Sequence, residues 1–262
     1  MQKMRFYRFI TIAVVSLCLI SCASNVETQP PADKTNVAAP AETIAQAENL
    51  FRQRADLAKL REAVKLLGAA RNMDNRNYDV EWRFARLNYF LGKQTTDAKE
   101  SEAAFADGLQ AGRIASRIEP NKADGFFWYG ANLGEQAKRS PVTVGIKAID
   151  EIRATLNKVI EIDPKYESAS AYVGLAQIEL KAGLLGGGKA EKAVELLEKA
   201  LELEKNNTYI YLYLGEAYLA VGRDAEARKH LEYLLKMKPD AEYMFEYNET
   251  TARAKKLLET RF

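Results

Sequence analysis

The feature that most constrains this chain is an internal repeat with a period of 34 residues near its C-terminus. Four pairs of positions recur at this interval: Ala193 and Ala227, Leu197 and Leu231, Ala200 and Leu234, and Lys205 and Pro239. A fixed period of this length is typical of helical-hairpin repeats, in which each unit buries its apolar face only against its neighbours. The sequence therefore predicts a stacked array of helix pairs.

A second pattern, in which large residues flank a small one, marks the first helix of each pair. Its members in the C-terminal copy are Tyr211, Leu214, Gly215 and Tyr218. Upstream copies begin at Trp82, Phe126 and Ser170, with spacings of 44, 44 and 41 residues. The extra length falls between paired helices, in residues 93–100, 135–143 and 181–188.

These two patterns are those of tetratricopeptide repeats (TPRs), and strand-like alternation is nearly absent from residue 42 onward. We therefore predict an all-α domain over residues 42–262. It would be a TPR-like superhelix of helical hairpins, about eleven helices in all, with lengthened inter-helix loops. A final polar helix over 249–260 could cap the stack.

The first 21 residues have the features of a bacterial export signal. Three basic residues and no acid stand among the first eight, and a mostly apolar run of 12 follows, too short to span a membrane as a stable helix. The run ends in Leu19-Ile20-Ser21-Cys22, which resembles the lipobox of bacterial lipoproteins. We predict a signal peptide over 1–21 and lipid attachment, palmitate included, at Cys22. An ordinary secretory signal with a chance cysteine is the alternative.

The segment that follows the cysteine is predicted to be a flexible linker. Residues 22–41 hold three prolines and no aromatic residue, so they cannot bury enough surface to become ordered. Ala23, rather than aspartate, follows Cys22, which in the best-known sorting rule directs a lipoprotein to the outer membrane. We expect a helical domain anchored to that membrane and facing the periplasm.

Composition argues against several other classes of protein. The chain has 38 basic and 36 acidic residues, and loss of the three N-terminal basic residues would leave a net charge of about −1, so no basic excess points to nucleic acid. A single histidine, His230, which we expect to be solvated, and two cysteines leave little material for a metal site. We predict no cofactor, no metal and no catalytic activity.

One glycine-rich stretch comes close to a nucleotide-binding loop. Gly183, Gly188 and Lys189 have the spacing of the phosphate loop, but Ala190 stands where a hydroxyl would hold Mg²⁺. The preceding segment has helical rather than strand character. We interpret the stretch as a loop between two repeat helices, where glycines permit positive φ and close approach.

Three segments resemble the T-component (TatT-like) family of TRAP (tripartite ATP-independent periplasmic) transporters, which are periplasmic TPR lipoproteins. They are "DGFFWYGANLGEQAK" (124–138), "KVIEIDPKYESASAYVGLAQIEL" (158–180) and "GLLGGGKAEKAVELLEKAL" (183–201). Two departures from the family pattern are Ser168-Ala169-Ser170, where a glycine-rich helix start is expected, and Lys205, where a proline would close the repeat.

The resemblance implies a helical stack that works beside the solute-binding protein of a TRAP uptake system, or beside another periplasmic protein. It also implies a cavity or pore for a small, partly apolar ligand, and a homo-oligomer as one option. The alternative is a general TPR scaffold for envelope assembly or secretion proteins, which would bind no small molecule.

The concave surface of a TPR stack is made mostly by the first helix of each pair. Positions expected to face it are Arg83 and Leu87, Phe127 and Ala131, Ala171 and Leu175, and Leu212 and Glu216. This set is largely apolar, with Arg83 and Glu216 as exceptions. It could line a ligand cavity, be covered by another segment or subunit, or simply be core.

Two aromatic clusters add candidates, because adjacent helix positions cannot all face one core. Phe126 and Tyr129 occupy packing positions in "FFWY" (126–129), as do Tyr211 and Tyr218 in "YIYLYLGEAY" (209–218). The residues left over are Phe127, Trp128, Tyr209 and Tyr213. The predicted ligand- or partner-binding residues are therefore Arg83, Phe127, Trp128, Tyr209, Tyr213 and Glu216.

Overall fold

The computed structural model describes residues 40–139, 146–182 and 189–262. In these ranges the chain forms eleven α-helices, one short 3-10 helix and no strand, which confirms the predicted all-α class. The helices are α1 (Ala41–Arg52), α2 (Leu57–Ala70), α3 (Tyr78–Gln94), α4 (Ala98–Ile118), α5 (Ala123–Arg139), α6 (Ile146–Ile162), α7 (Tyr166–Ala182), α8 (Ala190–Leu203), α9 (Thr208–Ala220), α10 (Asp224–Lys236) and α11 (Met244–Arg261).

Several sequence predictions fall outside the described residues. They are the signal peptide over 1–21, the lipid attachment at Cys22, almost all of the linker over 22–41, and the glycine loop over 183–188. Among the helices that are described, none combines the length and the apolar character needed to cross a membrane.

The helices stack as hairpins, in the arrangement that the repeat predicts. Each helix packs against the next along the chain, and α3, α5, α7 and α9 also contact one another in succession. These four helices are the first members of their pairs, so together they form the inner row of a TPR superhelix. Asparagine and aspartate side chains fix where helices begin: Asn77 accepts from the Val80 amide, and Asp97 from those of Lys99 and Glu100.

Glycines set how closely the hairpin of α4 and α5 can pack. A Cβ atom on Gly112 would lie 2.6 Å from the Tyr129 backbone nitrogen, and one on Gly125 would lie 2.4 Å from that of Ser116. No real Cβ contact is that short, so only glycine permits this approach. Between α3 and α4 the extra residues of the repeat lie mainly in helix, since only residues 95–97 connect the two.

The first turn of α7 is left-handed. Glu167, Ser168 and Ala169 have φ of 45°, 56° and 61°, a region that costs an L-residue about 1–2 kcal/mol each. This strained turn includes Ser168 and Ala169, where the family pattern expects glycine. The right-handed helix follows it.

The last helix differs from its prediction in both length and position. α11 begins at Met244 rather than at 249, because Asp240 caps a 3-10 turn (Ala241–Tyr243) that leads directly into it. Its C-terminal half packs on α9 and α10 through Ala254, as a cap would. Its N-terminal half extends to side chains of α3 and of the turn after α1.

Candidate protein-binding groove

The candidate site is the surface along which α11 lies, and we call it the α11 groove. It is formed by Arg54 in the turn after α1, by Phe90 and Lys93 of α3, and by Tyr209, Tyr213 and Glu216 of α9. Three of the six predicted binding residues, Tyr209, Tyr213 and Glu216, therefore lie together and contact a segment of this same chain.

The central contact of the groove is a three-residue cluster around Glu249 of α11. Its carboxylate accepts hydrogen bonds from the Lys93 ammonium at 2.7 Å and the Tyr209 hydroxyl at 2.6 Å. Burial opposes ionisation of Glu249, but Lys93 and Tyr209 outweigh it, so the pKa of this carboxyl is lowered. Burial, and then the Glu249 charge, raises the pKa of Tyr209 well above its ordinary value, so Tyr209 stays protonated as a donor.

The second contact lies one α-helical turn further along both helices. Arg253 of α11 donates to the Tyr213 hydroxyl at 3.1 Å and forms an ion pair with Glu216. The rings of Tyr209 and Tyr213 are stacked with centroids 6.3 Å apart. The two tyrosines thus present adjacent hydroxyls to the polar face of α11.

The third contact joins the start of α11 to Arg54, which is only 3% exposed. One guanidinium nitrogen, Nη2, donates to the Glu246 carboxylate at 3.2 and 3.4 Å. The guanidinium lies 4.6 Å from the centroid of the Phe51 ring and 5.2 Å from that of Phe90, both within cation–π range. Phe245, the residue before Glu246, has its ring 6.4 Å from that of Phe90.

Phe127 and Trp128 lie in the core, with 8% and 3% exposure. Their rings contact each other at 4.9 Å, and Trp128 also packs on Tyr89 and Phe90 at 5.5 and 6.0 Å. These two side chains therefore have the contacts of core residues, which is one of the three alternatives that the sequence leaves open. A ligand-binding role for Phe127 or Trp128 stays a prediction.

Arg83, the remaining candidate, is engaged with the beginning of the domain. It donates to Glu48 of α1 at 2.8 Å and to Asp79 of its own helix at 2.6 Å, and it lies 4.1 Å from the centroid of the Trp82 ring. Arg86 also pairs with Glu48. The two arginines thus hold α1 on α3, and in the described part of the chain Arg83 does not join the α11 contacts.

Sequence reasoning missed Arg54, Lys93 and most of α11. The repeat pattern identifies the inner positions in the first helix of each pair. Arg54 lies outside these positions, in the turn after α1, and Lys93 lies in the last turn of α3. A usable indication was present in α11, where Glu246, Glu249 and Arg253 share one helix face at spacings of three and four.

A separate cavity of about 570 Å³ lies between α8, α9 and α10. His230 borders it, is half-buried and stacks on Tyr218 with centroids 5.4 Å apart. Burial, and then the neighbouring Lys229 charge, lowers the His230 pKa. Across the described residues, no group of three or more His, Cys, Asp and Glu side chains could hold a metal ion.

Two solved structures show the same fold. One is TTC0263, a thermophilic TPR protein of Thermus thermophilus, at 19% identity and a TM-score of 0.56, with 79% of this chain and 99% of that chain covered. The other is from a functional characterization of Pseudomonas aeruginosa pilF, at 17% identity and a TM-score of 0.51, with 84% and 91% covered.

Family models add to the structural comparison. Residues 184–244 match a tetratricopeptide-repeat model, which confirms the repeat assignment and supports binding of proteins as the class of function. No curated protein matches this chain. The association with a TRAP transporter stays a prediction. Residues 43–176, just over half of the sequence, match the model described as Regulator of microtubule dynamics protein 1-3, and the chain therefore belongs to that family.

Proposed function

We propose that this protein is a non-enzymatic TPR scaffold, anchored to a bacterial membrane through Cys22, that holds a segment of a protein partner in the α11 groove. The observation that carries the proposal is the groove itself, which already accommodates a helix through Arg54, Lys93 and Glu216. A surface that binds one helix by side-chain contacts has the chemistry to bind another.

The protonation states in the groove favour binding over catalysis. Glu249 has a lowered pKa and Tyr209 a raised one, so neither is adjusted towards neutral pH as a general acid or base would be. We also leave a small apolar ligand out of the proposal, because Phe127 and Trp128 pack into the core.

The partner that we propose is the solute-binding protein of a TRAP-type uptake system. Support comes from the resemblance of residues 124–138, 158–180 and 183–201 to the T-component family, and from the lipobox that ends at Cys22. The family to which the chain belongs is described as a regulator of microtubule dynamics. We do not extend that activity to this protein, because its predicted export signal would direct it to a bacterial envelope.

The proposal is tested by cross-linking in cells that express the full chain with its lipobox intact, followed by affinity recovery from the membrane fraction. We expect a TRAP solute-binding protein to be recovered with the wild type and to be lost with the groove variant Lys93→Glu. The matched control is Lys236→Glu, which makes the same charge change in the cavity between α8, α9 and α10.

Other outcomes of this experiment decide against parts of the proposal. Recovery of envelope assembly or secretion proteins in place of TRAP components would favour the general scaffold. Equal recovery with Lys93→Glu and the wild type would remove the groove from the binding surface. A Cys22→Ser variant that stays in the membrane fraction would contradict the lipid anchor.

A further inference from the structure

The two halves of α11 are held by different kinds of contact. In the C-terminal half, Ala254 is fully buried and packs in an apolar cluster with Leu231 and Leu234 of α10. In the N-terminal half, Glu246 and Glu249 are held mainly by ion pairs to distant parts of the chain. The N-terminal half buries Thr250 and Thr251 and packs the half-buried Phe245 ring on the core, but it has no buried apolar side chain comparable to Ala254. Its attachment therefore depends more on the ion pairs than that of the C-terminal half does.

Where the N-terminal half of α11 contacts Arg54, two buried guanidinium nitrogens have no hydrogen-bond acceptor among the described residues. Glu246 contacts only Nη2, while Nε and Nη1 have no hydrogen-bond partner among the described residues, and the side chain is only 3% exposed. Each buried donor left unsatisfied costs about 1–3 kcal/mol. A carboxylate that also accepted hydrogen bonds from Nε or Nη1 would recover part of that free-energy cost.

A second carboxyl, that of Glu167, interacts electrostatically with Glu246. Burial raises the pKa of Glu167, which the left-handed turn of α7 presents to the same region, and the charges of Asp124 and Glu246 act in the same direction. Arg86 and Arg54 act against it. The Glu246 charge is the smallest of these contributions to the raised pKa of Glu167.

The groove has unfilled volume beside these contacts. A cavity of about 390 Å³ lies where α11 faces α3, and its lining consists of Ala55, Lys93, Met244, Phe245, Asn248 and Glu249. Long side chains, rather than close backbone packing, bridge the two helices here. A helix with larger or better placed side chains could occupy this end of the groove.

We propose that the basic end of the α11 groove, Arg54 and Lys93, is a docking site for an acidic helix of a protein partner. That helix replaces the first two turns of α11, while the C-terminal half of α11 stays in place as the cap. Charge complementarity defines the partner: an aromatic residue followed by acids at the spacing of Phe245, Glu246 and Glu249. The inference rests on the proposed function and names the chemistry of its partner.

The test uses a fluorescein-labelled peptide of residues 241–254 as probe and fluorescence anisotropy on the full chain. In the wild type, the chain's own α11 competes with the peptide. We expect the double variant Glu246→Ala/Glu249→Ala, which weakens that competitor, to bind the peptide at least about tenfold more tightly, a factor that corresponds to about 1.4 kcal/mol. A peptide that carries the same two substitutions should bind neither protein.

The control variant is Glu242→Ala/Glu259→Ala, which removes two exposed acids that form no ion pair in the described residues. It should bind the peptide as weakly as the wild type does, and circular dichroism should show equal helix content in all three proteins. Addition of Lys93→Ala to the double variant Glu246→Ala/Glu249→Ala should reverse its gain in affinity for the peptide.

Three results would overturn the inference: equal peptide affinity in wild type and double variant, equal binding of the substituted peptide, or a gain that survives Lys93→Ala. A wild-type dimer that dissociates on the Glu246→Ala/Glu249→Ala change would assign the groove to a second copy and also overturn it. Failure of the cellular recovery with success of the peptide test would count against the proposed function alone.

Discussion

At the scale of single residues, the repeat pattern predicts inner-face positions better than it predicts their partners. Their places in one helix make Tyr209, Tyr213 and Glu216 candidates, and all three contact α11. Arg54 could not be found in this way. Its burial depends on Phe51, Phe90 and Glu246, and the last of these lies 192 residues further along the chain.

The left-handed turn of α7 makes a direct prediction for Ser168. Replacement by glycine removes the steric cost of φ 56° and adds the chain-entropy cost of glycine, so Ser168→Gly should raise the free energy of unfolding by about 0.5–1 kcal/mol. Chemical denaturation measures the change. The matched control is Gly222→Ala, which places an alanine at φ 74° and should lower the free energy of unfolding by about 1 kcal/mol. A loss of stability in Ser168→Gly would show that the turn is not left-handed.

Glu167 predicts a pH dependence. Burial raises its folded-state pKa above the ordinary 4.5, so the folded chain binds this proton more tightly than the unfolded chain does. As pH rises through 4.5 and then through the folded pKa, the wild type should lose stability relative to Glu167→Gln. Denaturation curves at several pH values should show similar stabilities at low pH and a more stable variant at neutral pH. A variant less stable at neutral pH would contradict the burial of this carboxyl.

At the scale of helices, the repeat period and the helical spacing of apolar residues predict the stack of helix pairs and its approximate number of helices. Two local features of the structure depart from these expectations, and each has a physical cause. Ser168 and Ala169 adopt a left-handed turn that their residue types disfavour, and Met244 is drawn into α11 by the turn that Asp240 caps. Neither effect is visible in a hydrophobic pattern, because both arise from backbone geometry.

The hairpin of α4 and α5 predicts a large effect at Gly112. A methyl group there would lie 2.6 Å from the Tyr129 backbone nitrogen, so Gly112→Ala must separate the helices and should lower the free energy of unfolding by about 1–3 kcal/mol. Gly134 of α5 is the control, since a Cβ on it meets no atom within 4 Å. Gly134→Ala should raise stability by up to about 1 kcal/mol. Equal effects in denaturation experiments would contradict the close approach.

At the scale of the whole domain, the stack of hairpins follows from the period, but the path of α11 does not. A repeat specifies contacts between neighbours, whereas Glu249 meets Lys93 across 156 residues and Glu246 meets Arg54 across 192. A terminal helix over 249–260 was expected only to cap the stack. Because α11 begins at Met244, its first turns lie in the α11 groove. The groove therefore already holds a helix of the same chain.

The central claim is that the α11 groove is a binding surface whose present occupant can be released. Hydrogen exchange of the backbone amides of residues 244–250, compared with those of α4 and α5, tests it most directly. Raising the salt from about 0.1 to about 1 M shortens the screening length from about 10 to about 3 Å and weakens the ion pairs of Glu246 and Glu249. We predict that residues 244–250 exchange faster than α4 and α5 at the lower salt and faster still at the higher. Exchange as slow as in α4 and α5, and unchanged by salt, would contradict the account.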